Sequence, residues 1–287
     1  PQTANNPVST NHTLTGHVNV NAGQGAGYVN APSGTVITFS VQNSGGATAA
    51  FVGPNTCTTA GGTGSCTVVI SSSTTGTTTV KAATTVSVGG VSLHRETADG
   101  KAGDSTDANK TWSNDTVSTK VRDAANNDVT SQTVEIGTVV HDEATVAKTA
   151  GTPASAPAPT GTVTFTLYNN GTCSGTVVAT DANKPLNGSG VATSATFTAP
   201  SGGSFSYLAH YNGDANYPAH DGPCEPFQVQ APTGIIAPTQ TTCEEARDGT
   251  ADALGQVNYA VSGGKVAQSL NPGVFFYYAK ITTTVPN

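Results

Sequence analysis

The chain has 287 residues, of which 36% are hydrophobic, 10% charged and 6% aromatic, with 33 glycines and 16 prolines. That is too apolar for a disordered tail, and Gly plus Pro fall short of the roughly 25–30% that marks low-complexity chains. Eighteen acids against eleven bases leave a formal charge of −7 without any run of Lys or Arg, which excludes nucleic acid as a partner and argues against anionic membranes.

Pro1 opens a chain that contains no methionine, so the reading is of an exported protein whose signal peptide has been removed. No segment shows the three-to-four apolar spacing of a helix, and no apolar stretch approaches the 18 or so residues that cross a bilayer. Thr and Val alternate instead, which favours pleated, half-buried surface. Segments 35–42, 66–71, 77–82 and 84–88 read as short strands separated by Gly, Ser and Asn turns. After a polar, charged loop at 96–110 come strands at 162–168, 190–197, 205–211 and 226–229, with a Pro-rich loop at 151–161 before the first of them. This spacing predicts an all-β chain of antiparallel sandwiches. At about 100 residues per sandwich, the chain divides into units at 1–112 and 113–230 and a small or incomplete C-terminal β domain at 231–287, reached through a linker containing Pro232 and Pro238.

Cys57 and Cys66 flank a Gly-rich turn at a spacing that a disulfide across a hairpin would bridge, whereas zinc ligands sit closer together and near His. Cys173 and Cys224 are candidates for a second pair. Cys243 is then the odd one, open to an intermolecular bridge, a free thiol or burial as a small hydrophobe.

Several motifs in order resemble the bacterial immunoglobulin-like repeat domains of large secreted and cell-surface proteins. They are Gly-Thr-Val-Val-His-Asp-Glu at 137–143, Thr-Gly-Thr-Val-Thr-Phe-Thr-Leu at 160–167, Asn-Gly-Thr-Cys-Ser-Gly at 170–175, His-Tyr-Asn-Gly-Asp-Ala-Asn-Tyr at 210–217 and Gly-Pro-Cys-Glu-Pro at 222–226. The first unit is similar to a related module, with an opening strand at 13–20, Ala-Pro-Ser-Gly-Thr-Val-Ile-Thr-Phe at 31–39, Gly-Thr-Thr-Thr-Val at 76–80 and Ala-Asn-Lys-Thr-Trp at 108–112. In the last unit, Asn-Pro-Gly-Val-Phe-Phe-Tyr-Tyr at 271–278 resembles a strand of the same proteins. The resemblance implies tandem immunoglobulin-like sandwiches, a Cys173–Cys224 bridge across the second one, and work as rod-like spacers or adhesive surface proteins, with no catalytic residues to carry over.

The candidate chemistry is sparse. His141, Asp142 and Glu143 combine a group that titrates near neutrality with carboxylates, but neighbours on a strand point to opposite faces, so a surface strand is the expectation. His210, His220, Asp214 and Asp221 lie in or beside an Asn- and Gly-rich turn, where such side chains bond their own backbone. Asp99, Asp104 and Asp107 supply hard oxygen donors without the spacing of a calcium loop. No nucleophile elbow, zinc-protease motif or phosphate loop is present. Sequons at Asn11, Asn109, Asn114, Asn170 and Asn187 matter only in a host that glycosylates.

The aromatic run Phe275, Phe276, Tyr277 and Tyr278 places rings on both faces of a strand. A unit this small can scarcely cover both faces alone, which leaves three readings: a small sandwich closed on its own chain, cover from the second unit, or completion by another molecule through strand addition. The sequence therefore predicts a non-enzymatic extracellular structural protein, without metal or cofactor, that self-associates into a cell-surface fibre or stalk through Cys243 and this strand. The alternative is an adhesin or glycan-binding module for a host or surface ligand, with Tyr28, Trp112 or Tyr217 available to stack on sugars.

Overall fold

The computed structural model describes residues 2–230, except 24 and 26, and residues 267–271 and 274–277. The described residues contain no helix. Eleven strands come first: β1 (Thr3–Pro7), β2 (His12–His17), β3 (Asn19–Val20), β4 (Val29–Asn30), β5 (Val36–Ser44), β6 (Ala50–Phe51), β7 (Thr56–Thr58), β8 (Ser65–Ser71), β9 (Gly76–Val88), β10 (Val91–Glu96) and β11 (Ala108–Ser113). One sheet runs β1-β11-β9-β5-β7, with β10 also on β9; the other runs β2-β8-β6, and β3 pairs with β4 in a small ribbon. Along the core-facing strands alternate residues point inward, as the Thr/Val alternation requires, so Leu14, Ile37, Phe39, Val68, Ile70, Val80 and Trp112 pack into one core. Burying each such side chain fully is worth about 1.5–3 kcal/mol.

Nine further strands follow: β12 (Asp115–Asp123), β13 (Thr133–Glu135), β14 (Val139–Lys148), β15 (Thr162–Tyr168), β16 (Val177–Pro185), β17 (Val191–Thr193), β18 (Phe197–Thr198), β19 (Gly203–Tyr211) and β20 (His220–Gln230). They form a sheet β13-β20-β19-β15-β16 facing a second in which β14 lies between β12 and the short strands β17 and β18. Both groups share one device. Their largest sheet starts with a parallel pair between an early and the last strand, β1 with β11 and β13 with β20, while the other pairs are antiparallel. Strands β21 (Ala267–Asn271) and β22 (Val274–Tyr277) pair with each other.

Three predicted strands came out differently. Segments 77–82 and 84–88 are one continuous strand, because β9 pairs with β11 along its first half and with β10 along its second. Segment 190–197 is broken instead, since Ser194 accepts the N–H of Asp142 and donates its hydroxyl to the carbonyl of Ala195, turning the chain between β17 and β18.

The two sandwiches meet where β11 passes into β12. Asn5 donates to the Ser113 hydroxyl at 2.9 Å and to Asn216 Oδ1 at 3.4 Å, and His220 Nε2 lies 2.9 Å from the buried Asp115 carboxylate. Pro7 stands opposite Ser113, and Trp112 opposite Gly76. β9 therefore starts at this junction and runs away from it, and the turn between β9 and β10 lies at the far end of the first sandwich. The register Ile37↔Thr84 puts the start of β5 at that end as well.

Candidate binding end

The far end of the first sandwich is built from the β3–β4 ribbon, the start of β5, the β9–β10 hairpin and the loop at 97–107. It carries large apolar side chains that water reaches: Tyr28 (64% exposed), Val29 (58%), Val36 (48%), Val91 (59%) and Leu93 (43%). Val36, Thr38, Ala83, Thr84, Thr85 and His94 line an open groove of about 400 Å³. His94 Nδ1 lies 3.1 Å from the Thr85 hydroxyl. Tyr28 leans over the adjoining loop, where a Cβ added at Gly103 would sit 3.5 Å from its hydroxyl.

Local chemistry fixes this frame. Cys57 on β7 is bonded to Cys66 on β8, with Cα atoms 5.7 Å apart, so the bridge ties the edge strand of one sheet to the middle strand of the other. In the loop, Asp99 accepts the N–H of Lys101 at 2.9 Å and pairs with Arg95 at 3.2 Å. The bond from Lys101 is the main reason its carboxyl titrates below the ordinary range. Asp107 accepts the hydroxyl of Thr97, and Asp104 the N–H of Gly100. These acids shape the loop, and among the described residues no group of three or more His, Cys, Asp or Glu is placed to hold a metal ion. Two apolar side chains, threonine hydroxyls and one imidazole along the groove suit contact with a sugar ring or an extended peptide.

The other predicted residues lie elsewhere. Cys173 is bonded to Cys224 with Cα atoms 5.9 Å apart, but the bridge does not cross the sandwich as the resemblance implies. Cys173 lies in the loop after β15 and Cys224 on the outward face of β20, and β15 and β20 belong to the same sheet. Trp112 and Tyr217 are buried and cannot stack on a sugar. The Trp112 indole donates to Thr78 at 3.0 Å, and the Tyr217 hydroxyl to the Pro157 carbonyl at 2.6 Å.

His141, Asp142 and Glu143 diverge along β14, but the middle residue corrects the surface expectation: Asp142 is fully buried in the core, while Glu143 turns out to Arg122 at 2.9 Å. His210 pairs with Asp221 at 2.6 Å and His220 with Asp115, so the histidines do not converge on Asp214. That carboxylate accepts both the hydroxyl and the N–H of Thr160, together with the N–H groups of Asn216 and Tyr217. Burial raises its pKa, and these four bonds outweigh that and hold it low. They also close the corner where Gly161, at φ 92°, lets the chain pass: a Cβ there would lie 2.6 Å from the Gly213 carbonyl. Phe275, Phe276 and Tyr277 lie in β22, whereas Tyr278 and Cys243 fall outside the described residues.

The sequence reading missed Val36, Val91, Leu93 and His94. Gly89-Gly90 between alternating Val and Leu residues is a hairpin signal that would have located the last three.

No protein-family model and no curated protein matches the chain. Among solved structures it is similar to the Escherichia coli adhesin FdeC, at 16% identity and a TM-score of 0.39, covering 80% of this chain and 62% of that one. It is also similar to a C-terminal 282-residue fragment of intimin in complex with the intimin-binding domain of its translocated receptor, at 13% identity and a TM-score of 0.35, covering 85% and 68%. A third is the three N-terminal domains of the outer capsid protein Hoc of bacteriophage RB49, at 16% identity and a TM-score of 0.37, covering 81% and 68%. The present chain thus spans less than two thirds of the FdeC structure. Its own strand order, with facing sheets and an early strand parallel to the last one in each unit, is that of tandem immunoglobulin-like β-sandwiches.

Proposed function

We propose that this chain is a non-enzymatic extracellular adhesin, in which the second sandwich carries the first as an arm and the far end of the first engages a surface ligand. The reading rests on one observation: Tyr28, Val29, Val36, Val91 and Leu93 are exposed at the end of the first sandwich that also bears the groove, which Val36 lines. Exposed apolar clusters of this kind mark interaction sites. Two disulfides suit the oxidising space outside the cell. The units 1–112, 113–230 and 231–287 are then a presenting domain, a carrying domain and a C-terminal attachment. The test is binding of the full chain to a glycan array and to whole cells, with Tyr28→Ala and Leu93→Glu as variants. Loss of binding by tenfold or more with unchanged folding supports the reading, and wild-type binding that ignores both substitutions overturns it.

A second reading, a fibre subunit, is favoured by β21 and β22, which among the described residues pair only with one another. A two-stranded hairpin is marginal in water without cover. Electron microscopy with reducing and non-reducing gels tests this reading. Filaments lost on truncation after Pro238 or on Cys243→Ser support self-association through Cys243 and the 275–278 strand, and isolated monomers sink it.

A further inference from the structure

Halfway along the second sandwich the apolar core is interrupted. On β12 the inward residues are Val117, Thr119 and Val121; on β14 they are Val140, Asp142 and Ala144. From the facing sheet, β19 supplies Tyr207 and β20 supplies Glu225, both buried. The apolar residues fall into two clusters on either side, one containing Val117, Ala144 and Ala209, the other Val121, Val140 and Phe227. Between them lies a polar layer of Thr119, Asp142, Ser194, Tyr207 and Glu225.

Within this layer Asp142, fully buried, and Glu225, 5% exposed, come from opposite sheets and meet carboxyl to carboxyl within hydrogen-bonding reach. No described group closes a hydrogen bond of good geometry to Asp142 Oδ1, Asp142 Oδ2 or Glu225 Oε2; the Glu143 N–H lies beside the Asp142 carboxyl and favours its charged form, but burial and the facing carboxylate outweigh it. The Thr119 hydroxyl, itself buried, lies beside Glu225 without closing a hydrogen bond of good geometry. The charged neighbours are engaged elsewhere. Lys120 holds Asp128 at 2.6 Å, Arg122 holds Glu143 at 2.9 Å, and Asp181 holds Lys184 at 2.9 Å. From β19 the layer receives only the neutral Tyr207 phenol, beside Ser194. A hydrogen bond between two carboxyls requires a hydrogen, and two bare carboxylates side by side in a low-dielectric core repel strongly.

We propose that Asp142 and Glu225 hold one shared proton at neutral pH and so form a clasp between the two sheets of the second sandwich, which opens when that proton leaves. Burial first, and then the facing carboxylate, push Asp142 well above the ordinary carboxylate range, and burial pushes Glu225 up. The pair therefore binds its proton more tightly in the folded than in the unfolded chain. Its contribution is complete below the unfolded value near pH 4 and is lost as pH rises through the raised folded value. A loosened core in this sandwich would reach the whole arm through Asp115 and His220, which sit at its junction with the first.

Infrared spectroscopy of the full chain in heavy water at neutral pH tests the clasp. A protonated-carboxyl band that persists in the wild type and disappears in Asp142→Asn supports it, and its absence from the wild type overturns it. The second arm is denaturation at a series of pH values. The folding equilibrium constant of the wild type falls by up to about tenfold per pH unit as the proton leaves, and in the double variant Asp142→Asn/Glu225→Gln that fall is absent. An equally steep fall in the variant overturns the proposal. Stabilisation by calcium chloride that EDTA reverses would also overturn it, because a cation would then occupy the pair. Should neither variant fold, the wild-type spectrum at rising pH still decides: the band must fade as stability falls.

Discussion

Trp112, the single tryptophan of the chain, is buried in the first sandwich, and its indole ends on Thr78, whose own hydroxyl goes on to Asn43 Oδ1 at 2.8 Å. Thr78→Val keeps the shape and leaves the indole N–H unpaired, which costs about 1–3 kcal/mol. Urea denaturation followed by tryptophan fluorescence reads this directly, since the probe reports on that sandwich alone. In the second sandwich, Asp128 is pushed down to about 2, first by its bond from Lys120 and then by Thr130. Its contribution is present above the unfolded carboxylate value and fades as pH falls toward 2, the opposite sense to the Asp142–Glu225 pair. Asp128→Asn is expected to flatten the acid limb of a stability-against-pH curve and leave the alkaline limb unchanged.

At the level of elements, the disulfides differ in reach. The Cys57–Cys66 bridge spans nine positions and Cys173–Cys224 spans 51. Chain entropy alone assigns them roughly 3 and 4 kcal/mol, so reduction is expected to lower the melting temperature of the second sandwich more than that of the first, seen as two calorimetric transitions moving apart or exchanging order. How much of this was legible depends on the strand. β15 was predicted at its observed bounds because Val163, Phe165 and Leu167 alternate without interruption and are all buried. β12 was not predicted, because Thr119 stands where an apolar residue would complete the alternation and Lys120 and Arg122 fill the outer face. The residue that hides this strand from the pattern is thus part of the polar layer. β16 lies at a sheet edge with most side chains exposed, so no burial pattern was imposed on its sequence. The exposed end of the first sandwich was hidden for a related reason: Val91 and Leu93 alternate with polar residues as if facing a core, yet all of Val91–His94 is exposed. Only the order of the folded sheets shows that no core lies behind them.

For the molecule as a whole, the parallel pairing of β1 with β11 has a consequence under tension. A pull that enters the first sandwich at Thr3 leaves it at Ser113. Those strands lie side by side and run in the same direction, so the load acts along them, and the rungs from Thr3↔Asn109 to Pro7↔Ser113 must yield together. In the second sandwich the matching pair has only the rungs Thr133↔Gln228 to Glu135↔Gln230, behind an antiparallel β12 that opens from Asp115. Single-molecule stretching is expected to rupture the second sandwich at lower force than the first. The Cys173–Cys224 bridge withholds the residues between those cysteines from the extension, and reducing it should lengthen the released chain by about 170 Å, at roughly 3.3–3.6 Å per residue. The chain would then stretch in its second sandwich while the far end of the first stays folded.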